Sequence, residues 1–256
     1  MTVETNFYAD KLRGKNIVVF GGTSGIGFGA AEAFLSLGAH VTIVSSNPDN
    51  LNSALTRLKN HSNLQGKIAN VRDEAATVNA LLELAPIDHL VFTAVDLIIR
   101  GELADLDLDR AKELFGVKFW GSVVVGKAVA KHDIIKPGGS LTLTSGTAGF
   151  LPRKGAAVGG ALNGAVFSLT RGLAGDLAAK KIRVNTVVPG LVKTELWDKL
   201  GKTKEEQEET FQKGGERLLT GFVATPDDIA EAYVYAVRAN YSTGQLITID
   251  GGGVLI

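Results

Sequence analysis

Apolar residues in this chain gather in short, nearly unbroken runs, separated by longer stretches with helical spacing. Asn16–Phe20 reads Asn-Ile-Val-Val-Phe and His40–Ser45 reads His-Val-Thr-Ile-Val-Ser. Further runs fall at Lys67–Val71, His89–Ala94, Ser140–Ser145, Arg183–Val188 and Gln245–Asp250. β-Branched residues at successive positions suit strands buried on both faces, as in a parallel sheet. Between the runs the pattern predicts helices over Gly25–Leu37 (closed by Gly38), Leu51–Leu58, Ala75–Leu84 (ending before Pro86), Asp109–His132 and Gly155–Ala179. Strands alternating with helices mean βαβ units and right-handed crossovers. The expected fold is therefore a single α/β domain over residues 1–256, a doubly wound parallel sheet with helices on both faces. One stretch breaks the rhythm. Lys202–Arg217 is polar, with Lys204-Glu205-Glu206-Gln207-Glu208-Glu209, and is expected as a solvated helix or flap within a substrate-side lid spanning 191–222.

Composition narrows the function classes. Lys+Arg and Asp+Glu balance at 27 each, so no basic footprint for nucleic acid or an anionic membrane is present. There is no cysteine, which removes disulfides, thiolate metal sites and thiol catalysis. The four histidines, His40, His61, His89 and His132, lack ligand spacing, and no metal is expected. No apolar run reaches the ~20 residues of a membrane span. Met1–Lys15 carries acids and lacks the apolar core of a secretory leader, so the expected location is cytoplasmic and the expected partner a small-molecule substrate.

The first strand runs into Gly21-Gly22-Thr23-Ser24-Gly25-Ile26-Gly27. Gly21 lets the chain turn off the strand, Gly25 lets backbone approach a pyrophosphate, and Gly27 lets the helix pack closely on the sheet. The helix N-terminus then offers free N–H groups and a positive dipole end to an anion, with Thr23 and Ser24 as added hydroxyl donors. A strand before the turn and a helix after it make this a dinucleotide site and the sheet Rossmann-like. The second strand ends in Ser45-Ser46-Asn47. An acid there would accept from a ribose 2′-hydroxyl and repel a 2′-phosphate. Three polar side chains leave room for the phosphate, so NADP(H) is expected over NAD(H).

On these residues the chain resembles the short-chain dehydrogenase/reductase family over nearly its full length. Asn70-Val71 sits where that family has an Asp-Val pair near the adenine, and Thr93-Ala94-Val95 where it has Asn-Ala-Gly. Arg183-Val184-Asn185, Pro189-Gly190 and the following loop with Val192 match the strand and loop beside the nicotinamide. Thr194 falls where that loop contacts the carboxamide, and Thr243-Gly244-Gln245 with Asp250-Gly251-Gly252 match the C-terminal strand. The resemblance implies a homodimer or homotetramer formed through the long helices near 109–132 and 155–179. It also implies a Ser, a Tyr, a Lys and an Asn for catalysis. Here those positions read Gly146 (with Ser145 beside it), Gly159, Asn163 and Lys118. The chain's tyrosines, Tyr8, Tyr233, Tyr235 and Tyr241, all lie far along the sequence from 159.

Loss of one general acid lowers rates by ~10²–10⁴-fold, so ordinary ketone reduction is expected to be poor. An iminium carbon needs no proton donor, and Gly159-Gly160 opens space for a bulky substrate. The expected reaction is hydride transfer to an imine, iminium or other activated acceptor, resembling reductase-like proteins of fungal alkaloid pathways that lack the Tyr-Lys pair. A redox-inactive cyclase or isomerase, or a nucleotide-sensing pseudoenzyme, is the alternative. Ser145, Lys118 and Asn163 are the candidate catalytic residues. Ser145 either bonds substrate or caps its strand, Lys118 either enters the site or snorkels to solvent, and Asn163 bonds ribose hydroxyls. Asp96 is either an anchor for a cationic amine or a loop or N-cap acid, and Trp120 is a packing or interface residue rather than a substrate platform. Arg153 and Lys154 face product or solvent, and Trp197 with Phe211 forms an apolar lid.

Overall fold

The computed structural model describes residues 9–201 and 203–256. Tyr8, most of the segment read for a leader, and Lys202 of the expected lid lie outside them. Seven parallel strands form one sheet in the order β3-β2-β1-β4-β5-β6-β7. They are β1 (Asn16–Phe20), β2 (His40–Ser45), β3 (Leu64–Ile68), β4 (Ile87–Phe92), β5 (Ile135–Thr144), β6 (Arg183–Pro189) and β7 (Leu246–Ile249). Every residue of β4 and β6 is buried, including the polar Asp88, His89, Arg183, Asn185 and Thr186, as expected of central strands covered on both faces.

The helices are α1 (Gly25–Ser36), α2 (Pro48–Arg57), α3 (Glu74–Leu84), α4 (Leu108–Glu113), α5 (Ser122–Lys131), α6 (Ala157–Asp176), α7 (Lys204–Arg217) and α8 (Pro226–Arg238). They cover both faces. Phe34 of α1, Ala54 of α2 and Tyr233 of α8 share one core with Ile17, Val19 and Ile43. Leu81 of α3, Val125 and Val129 of α5, and Val166 of α6 share the other with Val18, Phe20 and Leu141. Among the described residues no helix is long and apolar enough to cross a membrane.

Four elements depart from the sequence expectation, the simplest being β5, which starts at Ile135 rather than Ser140. The third strand lies at 64–68, not 67–71. It is the sheet edge, half exposed and polar at Gln65 and Lys67, while the buried Ala69 and Val71, which suggested the later position, have already turned out of the strand. The helix expected at 109–132 is interrupted by a π turn, Gly116–Gly121, between α4 and α5. α8 has no counterpart among the expected helices, although Thr225 and Asp228 form a capping box and Pro226 opens its first turn.

Candidate active site

One cleft of about 560 Å³ opens beyond the carboxyl ends of the strands, where the order reverses between β1 and β4. The residues named from the sequence for cofactor contact, from Gly21 through Thr194, and the three catalytic candidates line it, whereas Trp120, Arg153, Lys154, Gly159 and Phe211 do not. The glycine turn is built to admit nothing larger. Gly21 has φ 78°, and a Cβ there would sit 2.7 Å from the Ala94 nitrogen. A Cβ on Gly27 would sit 2.2 Å from Thr93 Oγ1 and 2.3 Å from the Gly21 carbonyl oxygen. Thr93 Oγ1 donates to the Phe20 carbonyl at 2.8 Å, tying β4 to the same turn.

The α1 N-terminus makes no side-chain cap through Ser24, and its Gly25 N–H donates to Glu195 Oε2 at 2.9 Å. A carboxylate held there demonstrates that the spot takes an anion, so the turn fits a dinucleotide diphosphate. At the end of β2, Asn47 Oδ1 accepts from the Asn50 N–H at 2.9 Å and caps α2, while the Asn47 N–H donates to Ser45 Oγ at 3.2 Å. Exposed Ser46 and the Asn47 side-chain amide nitrogen remain for a ligand, fewer groups than the three side chains suggested by the sequence.

A short 3-10 segment, Glu195–Leu200, crosses the mouth. Glu195 reaches the α1 side, and Lys199 Nζ donates to the Asp96 carbonyl at 3.1 Å on the β4 side. Trp197 Nε1 donates to the Val192 carbonyl at 2.9 Å, and its ring meets Phe211 edge-on at 5.6 Å. Asp96 does not wait for a cationic amine. Its Oδ2 accepts from Arg72 Nη2 at 2.8 Å and Nε at 3.1 Å. Lys154 is likewise engaged, 2.8 Å from Glu102. Trp120 is 59% exposed, resting edge-on against Phe119 rather than packed into the core.

The catalytic candidates converge. Lys118 stands on the π turn and does not snorkel to solvent. Its Nζ donates to Asn163 Oδ1 at 2.8 Å and to the Ser145 carbonyl at 3.0 Å. Ser145 Oγ donates to the Asn163 carbonyl at 2.9 Å, and Asn163 Nδ2 donates to the Gly159 carbonyl at 2.8 Å. The Lys118 carbonyl accepts from Ser122 Oγ at 2.6 Å, which satisfies a group near the turn's irregular backbone. Burial pushes the Lys118 pKa from 10.5 down to about 8. Beside this network Gly159 is open: a Cβ there would meet only the Ile99 carbonyl, at 3.9 Å. Gly160 is tight, its Cβ position 2.7 Å from Pro152 Cβ. Tyr233, distant in sequence, bonds Thr144 Oγ1 at 2.6 Å, but from within the core shared with α1. Burial raises its pKa far above neutrality, so it is no proton donor to the cleft.

A family model described as an SDR-like Rossmann domain matches residues 8–256. The chain belongs to the short-chain dehydrogenase/reductase family. It is 35% identical to short-chain dehydrogenase/reductase malC of Malbranchea aurantiaca, across 96% of this chain and 97% of that protein. The solved structure of MalC reductase/Diels-Alderase from the same organism superposes with a TM-score of 0.86 at 32% identity, over 97% of this chain and all (100%) of that one. A small-chain dehydrogenase solved in complex with NADPH superposes with a TM-score of 0.77 at 31% identity, over 95% of this chain and 100% of that one. Four cleft residues of this family member escaped sequence reasoning: Arg72, Arg100, Glu195 and Lys199. Arg72 and Arg100 sit on loops and Glu195 and Lys199 on the short 3-10 segment, all without a periodic signal, and their direction is set only when these segments close across the cleft.

Proposed function

We propose that the protein is an NADP(H)-dependent reductase acting on a neutral imine, or a comparably activated acceptor, in secondary metabolism, with Lys118 as the proton donor. The observation that carries this reading is the seat of Lys118 Nζ, fixed by two hydrogen bonds beside the open Gly159. An ammonium has three donors. Two are spent on Ser145 and Asn163, and the third is left for the cleft. A neutral amine keeps the same two anchoring bonds, so Lys118 gives up and regains one proton without moving. The pKa of about 8 suits that exchange near neutral pH.

A bound nicotinamide cofactor would supply hydride. The Gly25–Gly27 turn would hold its diphosphate, Ser46 and Asn47 a 2′-phosphate, and Asn70-Val71 the adenine side. On hydride addition to carbon the C=N π pair moves to nitrogen, which takes the Lys118 proton, and the amine is recharged from solvent. A permanently cationic acceptor would meet Lys118 and Arg100 in the same cleft. A neutral imine reaches the cationic form inside the site without carrying charge in. Likeness to MalC reductase/Diels-Alderase and the space at Gly159 favour a second reading, in which the cleft also templates ring closure.

Titration with NADPH and NADH, then single turnovers with deuterated NADPH on a panel of cyclic imines, tests the proposal. Tighter NADPH binding and deuterium in the product support it. Binding without deuterium transfer would leave the template or sensing reading, and no binding of either nucleotide would end the reductase reading.

A further inference from the structure

Positive charge on the substrate wall is left without a counter-ion. Arg100 lines the cleft with its guanidinium over the Trp197 ring, 5.6 Å from the centroid. Its loop runs along the start of α6: the Gly101 N–H donates to the Gly155 carbonyl at 3.1 Å, and the Ile99 carbonyl borders the space beside Gly159. The backbone just before Arg100 therefore borders the open position at Gly159, while its guanidinium lies over Trp197. Partial burial, and then the nearby Arg153 guanidinium, push the Arg100 pKa down. Among the described residues neither arginine side chain has a hydrogen-bond or ion-pair partner in the protein. The acids around them are committed: Asp96 to Arg72, Glu102 to Lys154, and Glu195 to the Gly25 N–H. Arg153 is exposed on the neighbouring loop, which the Gly101–Gly155 bond and the Lys154–Glu102 pair hold beside the loop of Arg100.

We infer that Arg100 anchors a subsite for a carboxylate on the substrate, with Arg153 of the adjoining loop at its outer rim and the substrate's flat unsaturated body lying against Trp197. A guanidinium presents two parallel N–H groups that match a carboxylate. An indole beneath it offers a face for a conjugated or aromatic skeleton. The subsite rests on the reductase reading and deepens it by adding a carboxylate and a flat unsaturated skeleton to the imine or activated acceptor, and its test needs no turnover.

The test is calorimetric titration of the NADP⁺-loaded protein with cinnamate and with cinnamamide, which share a flat skeleton and differ in charge. The expected result is a preference for cinnamate of about tenfold or more, the ordinary worth of a hydrogen bond to a charged group. Raising the salt concentration should erode cinnamate binding alone. Arg100→Gln and Arg153→Gln, both on exposed loops, should each reduce the preference, and the double variant should abolish it. Equal affinities, no saturable binding of either probe, or a preference that survives both substitutions would overturn the inference. If NADP⁺ itself fails to bind, the reductase reading falls, and the same titration on the ligand-free chain still decides the subsite.

Discussion

Replacing Lys118 by methionine separates two consequences of its burial. The side chain keeps its length and loses its charge. At pH 7 the lysine is charged both in the folded cleft and in the unfolded chain, and burial penalises the folded state. As pH rises through about 8 the folded lysine sheds its proton, while the unfolded one holds its proton until near 10.5, the ordinary lysine value. The unfolded state then binds more protons, so folded stability climbs with pH across that window. With a folded pKa of about 8, the gain between pH 7 and 10 is roughly 2.5 kcal/mol. Lys118→Met has no such group. Urea unfolding at several pH values should show the wild type gaining about that much on the variant from pH 7 to 10. A difference that stays flat would refute the burial argument. In single turnovers Lys118→Met should transfer hydride ~10²–10⁴-fold more slowly with NADPH affinity retained. Wild-type rates should fall above pH 8 as the donor is lost.

Glu195→Gln should tighten NADPH binding several-fold, because removing a carboxylate from the α1 N-terminus is worth roughly 1 kcal/mol; an unchanged calorimetric Kd would refute the competition. Arg183→Met should lower stability to urea by about 2–4 kcal/mol. Its guanidinium donates to the Ala236, Val237 and Ser242 carbonyls, and the substitution leaves those acceptors buried. Gly27→Ala should abolish nucleotide binding, since the new methyl meets Thr93 and Gly21. Gly159→Ala should instead leave the fold intact or raise its stability by up to about 1 kcal/mol, as expected for an open helical site. Lys118→Asn and Asn163→Lys should each destabilise, and the double exchange should recover stability, with a coupling of about 1–3 kcal/mol in a double-mutant cycle.

The glycine turn proposed to hold the nucleotide was legible as a turn because its glycines answer to local sterics: turn, close approach and helix packing each disfavour a side chain at a fixed spacing from the strand. The strands beside it were legible because burial on both faces writes unbroken apolar runs. Edge strand β3 has no such burial, so its position slipped by three residues toward Ala69 and Val71. Lys118 was ambiguous for a different reason. A π turn adds a residue to the helical repeat and rotates the residues after it by about 100°. A regular helical wheel drawn over 109–132 cannot say which face Lys118 shares. Glu195 and Lys199 were illegible because each gains its role from a contact more than a hundred residues away, to Gly25 and to Asp96.

Lys118 and Asn163 make sense only together. The family resemblance places an asparagine at the first position and a lysine at the second, and this chain carries the same two residue types exchanged. With Lys118 in the π turn, a lysine at 163 would bring a second ammonium to the point where Asn163 Oδ1 now accepts at 2.8 Å. Two unit charges about 4 Å apart repel by roughly 4 kcal/mol at the effective dielectric of a part-buried site. The neutral amide supplies the acceptor the ammonium needs, and its Nδ2 donates to the Gly159 carbonyl, so it also fixes the backbone at the open position. Moving the cation from α6 to the facing turn thus keeps one charge and one amide in the site while clearing the α6 side. In the proposed reductase the open Gly159 and the seated Lys118 are complementary: one leaves room in the cleft and the other would hold a proton beside it.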